Sequence, residues 1–230
     1  MITKELCYFQ ESCKKFKEGT CVDLFCIRLF KLDQLYKNAL LTPAQSLPIK
    51  LYVDADGTDK DKYIQLSTIE KNIKSFVTEG KNLYIHSVIC GNGKTAWSLK
   101  LIQAYLNKIW PESSGCRALF INVPRFFLAL KDSISSQNDY IDHIKANVLE
   151  ADLVVWDEVG VKALTPYEHE HLLNFINTRL DCGKSNIYTS NLQPAELKEK
   201  IGDRLYSRVV NLSEEIVFNG QDKRGIKVVR

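Results

Sequence analysis

The pentapeptide Gly91-Asn92-Gly93-Lys94-Thr95 joins an apolar run, Leu83–His86, to a stretch, Ala96–Trp110, whose apolar residues fall at Leu99, Ile102, Leu106 and Ile109. That spacing is one face of a helix. Strand, glycine turn and helix in this order suit phosphate chemistry. Glycines let backbone N–H groups converge on phosphate oxygens with no Cβ in the way. The helix start adds unsatisfied donors and the positive end of its dipole. Lys94 can reach the β- and γ-phosphates of a nucleotide, and the Thr95 hydroxyl can hold magnesium. Gly91, Asn92, Gly93, Lys94, Thr95 and Ala96 are therefore the candidate nucleotide contacts. The usual form of this loop has one more glycine, five residues before Gly93, where this chain carries Val88.

Three further groups can serve the same chemistry. Leu153-Val154-Val155-Trp156-Asp157-Glu158 is an apolar run ending in two carboxylates. Asp157 at a strand tip can bind magnesium through water, and Glu158 can orient and deprotonate an attacking water. Ser185–Asn191 reads as a strand that delivers the Asn191 amide near the γ-phosphate. Arg204 and Arg208, four residues apart, share a helix face. They form either a solvated basic face or an arginine finger for a neighbouring subunit's γ-phosphate, a task suited to a planar, permanently charged guanidinium. Arg224 is a candidate for contacting nucleotide within its own chain.

The elements that must position these residues alternate. Strands are expected at Leu83–His86, Ala118–Asn122, Leu153–Asp157, Asn186–Thr189 and Glu215–Phe218. Helices are expected at Ala96–Trp110, Pro124–Ser133, Tyr140–Leu149 and Pro166–Leu180, the last capped by Thr165. Such alternation implies a parallel sheet with helices on both faces. Ahead of it lie a helical stretch, Leu24–Leu41, and a linker-like run, residues 42–62, with Pro43, Pro48 and Gly57. This divides the chain into an amino-terminal head with linker, residues 1–48, and an alternating α/β domain that carries the phosphate loop, residues 49–230.

The 230 residues carry 31 basic and 28 acidic side chains, so bulk charge neither demands nor excludes nucleic acid. No apolar run approaches the roughly 20 residues of a membrane span, and the amino terminus is too polar for a signal peptide. A cytoplasmic location without membrane contact is expected, with its seven cysteines reduced or metal-bound. Cys7, Cys13, Cys21 and Cys26 cluster in the head. Four thiolates can close a tetrahedral zinc site, although these spacings are not compact two-residue knuckles; reduced thiols are the other reading. Cys90, Cys116 and Cys182 are expected to be packing residues.

The motifs GNGKT, LVVWDEVG, YTSNL, DRLYSRV and FNGQDKRG, in this order, resemble those of the DnaC/DnaI helicase loaders and the related IstB-type transposition helpers. The resemblance runs from about Tyr63 to the carboxyl terminus, and phage-encoded members from Gram-positive hosts share the cysteine-rich head. It implies an AAA+ P-loop ATPase core with a parallel five-stranded sheet flanked by helices. In that core the P-loop strand is central and the sensor strand lies between it and the acidic strand. A small helical head binds zinc. Family roles fall on Lys94, Asp157, Glu158, the sensor Asn191, the finger Arg208 with its companion Arg204, and the second sensor Arg224. Implied cofactors are ATP or ADP, Mg2+ and Zn2+. Implied partners are a hexameric replicative DNA helicase, bound through the head, single-stranded DNA, and further copies of the chain in a ring or spiral. The segment Val123–Ser133 would line the DNA path, with Arg125 and Lys131 on phosphates and Phe126 or Phe127 either stacking on bases or packing in the core. The competing functions are a transposition helper, a P-loop small-molecule kinase and a nucleotide-binding adaptor without turnover. A kinase needs neither the Thr-Ser-Asn strand end nor an arginine acting in trans, and Glu158 argues against the adaptor.

Overall fold

The computed structural model describes residues 13–17, 20–21, 26–54, 56–133 and 135–224. Cys7 lies outside them. A small antiparallel hairpin, β1 (Phe16–Lys17) and β2 (Thr20–Cys21), precedes α1 (Ile27–Asn38). The hairpin departs from the helical head that the family resemblance implies. A 3-10 turn, Ala44–Ser46, and extended chain lead to α2 (Lys60–Lys71) and α3 (Ile73–Thr78). From there strands and helices alternate: β3 (Asn82–His86), α4 (Lys94–Ile109), β4 (Ala118–Asn122), α5 (Val123–Asp132), α6 (Asp139–Asn147), β5 (Leu153–Asp157), α7 (Pro166–Asp181), β6 (Ser185–Ser190), α8 (Pro194–Val209) and β7 (Glu214–Val217).

Strands β3 to β7 form one parallel sheet in the order β4-β5-β6-β3-β7. The expected placement of the sensor strand β6 between β3 and β5 holds. The expectation that β3 is central needs correcting, because the middle strand is β6, with β3 between it and β7. Alternating side chains divide the core. Leu83, Ile85, Phe120, Leu153, Val155 and Ile187 face α1 to α4. Tyr84, Leu119, Ile121, Val154, Trp156 and Tyr188 face α5 to α8.

Helix α1 turns Leu29, Leu32, Leu35 and Tyr36 into the first of these clusters. Asn107 of α4 donates to the Tyr36 hydroxyl at 2.9 Å, and the Phe120 N–H of β4 donates to the Ala39 carbonyl at 2.9 Å. Residues 29–41, read from composition as part of the head, thus share one core with the sheet. Of the three cysteines expected to pack, Cys90 and Cys182 are exposed, and Cys116 is half-buried. The Cys116 thiol bonds the Asn38 carbonyl at 3.2 Å, and burial pushes its pKa up to about 11.

Thr165 starts α7 with a complete capping box shared with Glu168. Near the other end of α7, the fully buried Arg179 binds four acceptors. Its Nε donates to Asn186 Oδ1 at 2.8 Å, one terminal nitrogen to the Val148 and Ala151 carbonyls at 2.6 and 2.7 Å, and the other to the Ser185 carbonyl at 2.6 Å. Burial brings its pKa down to about 10. Arg179→Met would orphan three buried carbonyls, each costing ~1–3 kcal/mol. Urea unfolding should show a loss of about 3 kcal/mol or more; a loss under about 1 kcal/mol would show that water replaces the guanidinium.

Candidate functional site

The candidate phosphate and magnesium residues gather at the carboxyl ends of β3, β5 and β6, where open parallel sheets bind ligands. The turn after β3 is braced from within. Asn92 is buried and its amide donates to Ser87 Oγ at 2.7 Å. Lys94 is 6% exposed, and its ammonium donates to the Ile89 carbonyl at 2.8 Å and Asn92 Oδ1 at 3.3 Å. Burial lowers the Lys94 pKa. Left-handed backbone among non-glycine described residues occurs at Leu40, Asp59 and Glu158, and not at Val88, whose side chain is exposed. The loop therefore has no conformational need of the missing glycine. Gly91 is different: its φ is +76°, and a Cβ there would overlap the Asp222 carboxylate.

Asp157 ends β5 on the α4 side of the sheet, in step with Leu153 and Val155. The β4–β5 register sets Asn122 beside it. Thr189 follows the Trp156–Tyr188 pair on β6 and takes the same side from the other neighbour. Three polar residues thus stand in a row facing the start of α4. Asp157 Oδ1 accepts from Thr95 Oγ1 at 2.9 Å and from Thr189 Oγ1 at 2.7 Å. Burial, helped by the neighbouring Glu158 charge, raises the Asp157 pKa against those hydroxyl bonds. A buried carboxylate beside a threonine hydroxyl is a hard oxygen set, and it fits Mg2+.

Glu158 is held in the left-handed region at φ +63°, a strained backbone for a residue with a side chain. Its N–H donates to Thr189 Oγ1 at 3.0 Å, and its carboxylate accepts from Asn122 Nδ2 at 3.0 Å. The Asn122 Oδ1 meanwhile caps α5 by accepting the Arg125 N–H at 3.1 Å. Neither Asn122 nor Thr189 stands out in the sequence as a site residue. The signal available was parity, since Asn122, Asp157 and Thr189 each lie two residues beyond an apolar residue of one core face.

A cleft of about 310 Å³ is lined by Gly91, Gly93, Lys94, Thr95, Ala96, Glu158, Thr189, Asn191 and Arg224. A second cleft of about 580 Å³ shares Gly91, Gly93, Ala96 and Arg224 and runs on to Leu51, Tyr52, Val53 and Asp54, a segment that sequence reading took as linker. The strap after β7 closes against both: the Phe218 N–H donates to the His86 carbonyl and the Lys223 N–H to the Gly91 carbonyl, each at 3.0 Å.

Arg204 and Arg208 do not line either cleft. They sit beyond a break in α8 at Gly202, whose φ and ψ are 76° and 160°. Arg204 is exposed, and half-buried Arg208 donates from Nε to Asn177 Oδ1 at 2.7 Å. The shared face expected of them holds, with an Arg208 guanidinium nitrogen 3.4 Å from the Arg204 carbonyl. On α5, Phe126 and Phe127 are 0% and 1% exposed and pack in the core, so neither can stack on a base. Arg125 and Lys131 are exposed, with the Arg125 guanidinium 4.7 Å from the centre of the Tyr140 ring. In the head, Phe16 pairs with Cys21 and its N–H donates to the Cys13 carbonyl at 3.0 Å, so the hairpin brings Cys13 towards Cys21. Among the described residues no three potential metal ligands are grouped.

The sheet order, the glycine turn and the acidic strand tip define an α/β P-loop protein of the AAA+ class. The sequence profile of the IstB-like ATP binding protein family matches residues 31–223, and the chain belongs to that family. No curated protein matches it in sequence. Among solved structures it is similar to the DnaC helicase loader, with 20% identity and a TM-score of 0.57 over 74% of this chain and 93% of that one. It is similar to DnaI, with 22% identity and a TM-score of 0.56 over 80% and 94%. A third likeness is to the replication initiator DnaA bound to AMPPCP and single-stranded DNA, with 18% identity and a TM-score of 0.55 over 73% of this chain and 48% of that one. The chain thus spans about half of that DnaA structure. No helix among the described residues is long and apolar enough to cross a membrane.

Two outcomes test the geometry. A carboxylate whose folded pKa is raised loses stability as pH climbs through that pKa. Asp157→Asn should therefore melt at a higher temperature than the natural protein at pH 7, with the gap closing towards pH 4; a lower melting temperature at pH 7 would show that the ionised form is favoured by the fold. Val88→Gly should leave nucleotide affinity within about threefold by calorimetry.

Proposed function

We propose that the protein binds and hydrolyses ATP as part of an oligomer that loads a replicative helicase onto single-stranded DNA. The observation that carries the ATPase reading is the convergence of Thr95, Thr189 and Glu158 on the cleft beside Lys94, with Asp157 bonded to both threonines behind them. Lys94 and the N–H groups of residues 91–95 bind the phosphate tail. Thr95 and Asp157 would hold Mg2+, which when bound neutralises developing phosphate charge. Glu158, oriented by Asn122, takes a proton from the attacking water, and Asn191 helps to place that water. The apolar walls at Leu51, Tyr52 and Val53 suit a purine base. Arg224 reaches nucleotide in its own chain. Arg208, lying away from the cleft, is the finger offered to the next subunit, with Arg204 beside it.

The loader role rests on family membership and on the likeness to DnaC and DnaI, which concerns the fold. DNA contact is assigned to Arg125 and Lys131 on α5, supported by the single-stranded DNA in the DnaA structure named above. The head, residues 1–48, is the helicase-binding part, with Zn2+ held by Cys7, Cys13, Cys21 and Cys26. A transposition helper is the second reading, because the matching family takes its name from IstB.

Glu158→Gln should retain ATP affinity and lower hydrolysis about 100-fold or more, whereas Lys94→Ala should abolish binding; unchanged turnover in Glu158→Gln overturns the base assignment. Arg208→Ala should spare ATP binding and cut turnover of the assembled oligomer about 1000-fold. Full-rate hydrolysis by an isolated monomer removes the role in trans. Deleting residues 1–25 leaves α1 in the core and should abolish capture of the host replicative helicase. Retained capture moves the docking surface elsewhere. Zinc should co-purify with the natural chain and be lost in Cys21→Ser.

A further inference from the structure

The second cleft has one wall that belongs to no helix or strand, the extended segment at residues 51–54. Leu51 at its start packs against the core under α1 to α4, and one polar side chain ties down the residues beyond it. The Lys223 ammonium donates to the Tyr52 carbonyl at 2.9 Å, to the Tyr63 hydroxyl of α2 at 2.8 Å and to Asp54 Oδ1 at 3.2 Å. It also lies 4.7 Å from the centre of the Tyr63 ring. Through its backbone N–H the same residue bonds the Gly91 carbonyl of the phosphate loop. The ion pair is shielded, with 17% and 16% of the two side chains exposed, so water screens it less than a surface pair. Asp54 is itself pressed against the strap, where a Cβ at Gly220 would overlap its carboxylate. Asp59 holds that strap from beneath, accepting the Asn219 and Gly220 N–H groups at 3.0 and 2.7 Å. Lys223 thus touches the wall, α2 and the phosphate loop at once, and its neighbour Arg224 lines both clefts.

We propose that Lys223, clasped by Asp54, is a positioning residue that assembles the base-binding wall of the nucleotide site and so controls affinity for the purine while leaving the grip on the phosphate tail intact. This rests on the nucleotide reading above. The phosphate grip comes from N–H groups of residues 91–95 and from Lys94, which are braced by Ser87, Ile89 and Asn92 without help from the Lys223 ammonium.

The test separates the two halves of the ligand. The natural chain, Lys223→Met and Asp54→Ala are titrated by calorimetry with magnesium ATP and with magnesium tripolyphosphate. Each variant should weaken ATP about tenfold or more and leave tripolyphosphate within about twofold. The double variant should lose little beyond either single one, because both remove one clasp. Steady-state hydrolysis should show the loss in KM, with kcat kept. Equal weakening of both ligands would mean that Lys223 supports the loop as a whole, and unchanged ATP affinity would mean that the wall stands without it; either overturns the proposal. A natural chain that binds ATP while the variants fail in these ways sinks this inference alone. A natural chain that binds neither ligand sinks the nucleotide reading and this inference with it.

Discussion

The pleat of the sheet decides where the chemistry can happen. Side chains alternate across a strand, so a one-residue slip between β4, β5 and β6 would turn Asn122, Asp157 or Thr189 to the α8 face. In register, all three stand on the α4 side, where Thr95 opens the helix after the phosphate loop. Two large apolar clusters lock that register, with Leu153 and Val155 on one face and Val154 and Trp156 on the other. The core therefore does more than stabilise. It fixes the parity of the residue proposed to face magnesium.

The same constraint has an energetic side. Asp157 is buried and disfavours its own charge, and Glu158 occupies strained backbone. Neither suits stability alone. Both persist because Thr189 and Asn122 bind them from flanking strands, a pattern expected where a fold stores strain at a working site. Asn122 has a second consequence. One side chain both caps α5 and orients the Glu158 carboxylate, so the element assigned to DNA contact and the proposed general base are bonded to the same residue.

Strands β3 to β7 and helices α4 to α7 were legible because most are apolar or periodic runs closed by a turn signal, and the phosphate loop because its glycines and Lys94 are contiguous; of α8 only the helical spacing of Arg204 and Arg208 was legible. What escaped depends on pairing or packing that one strand does not reveal. Asn122 gains a role only once β4 lies against β5 in register. Arg179 looks like a solvated charge on α7 until the foot of the sheet surrounds it with carbonyls. Phe126 and Phe127 could have stacked on bases or packed, and α5 sits so close to the sheet that both are buried. The segment at residues 51–54 has the composition of a linker, and its use as a wall follows from contacts with Lys223, about 170 residues away. The break at Gly202 carried no local signal beyond the glycine itself.

The row at the sheet edge is tested most directly by calorimetric titration with AMPPCP, with and without magnesium, of the natural protein and of Asp157→Asn. Magnesium should tighten binding to the natural protein about tenfold or more and have no effect on the variant. Equal affinities of the natural protein in the two buffers, or a variant that keeps the magnesium effect, would contradict the placement of Asp157 and Thr95 around one cation.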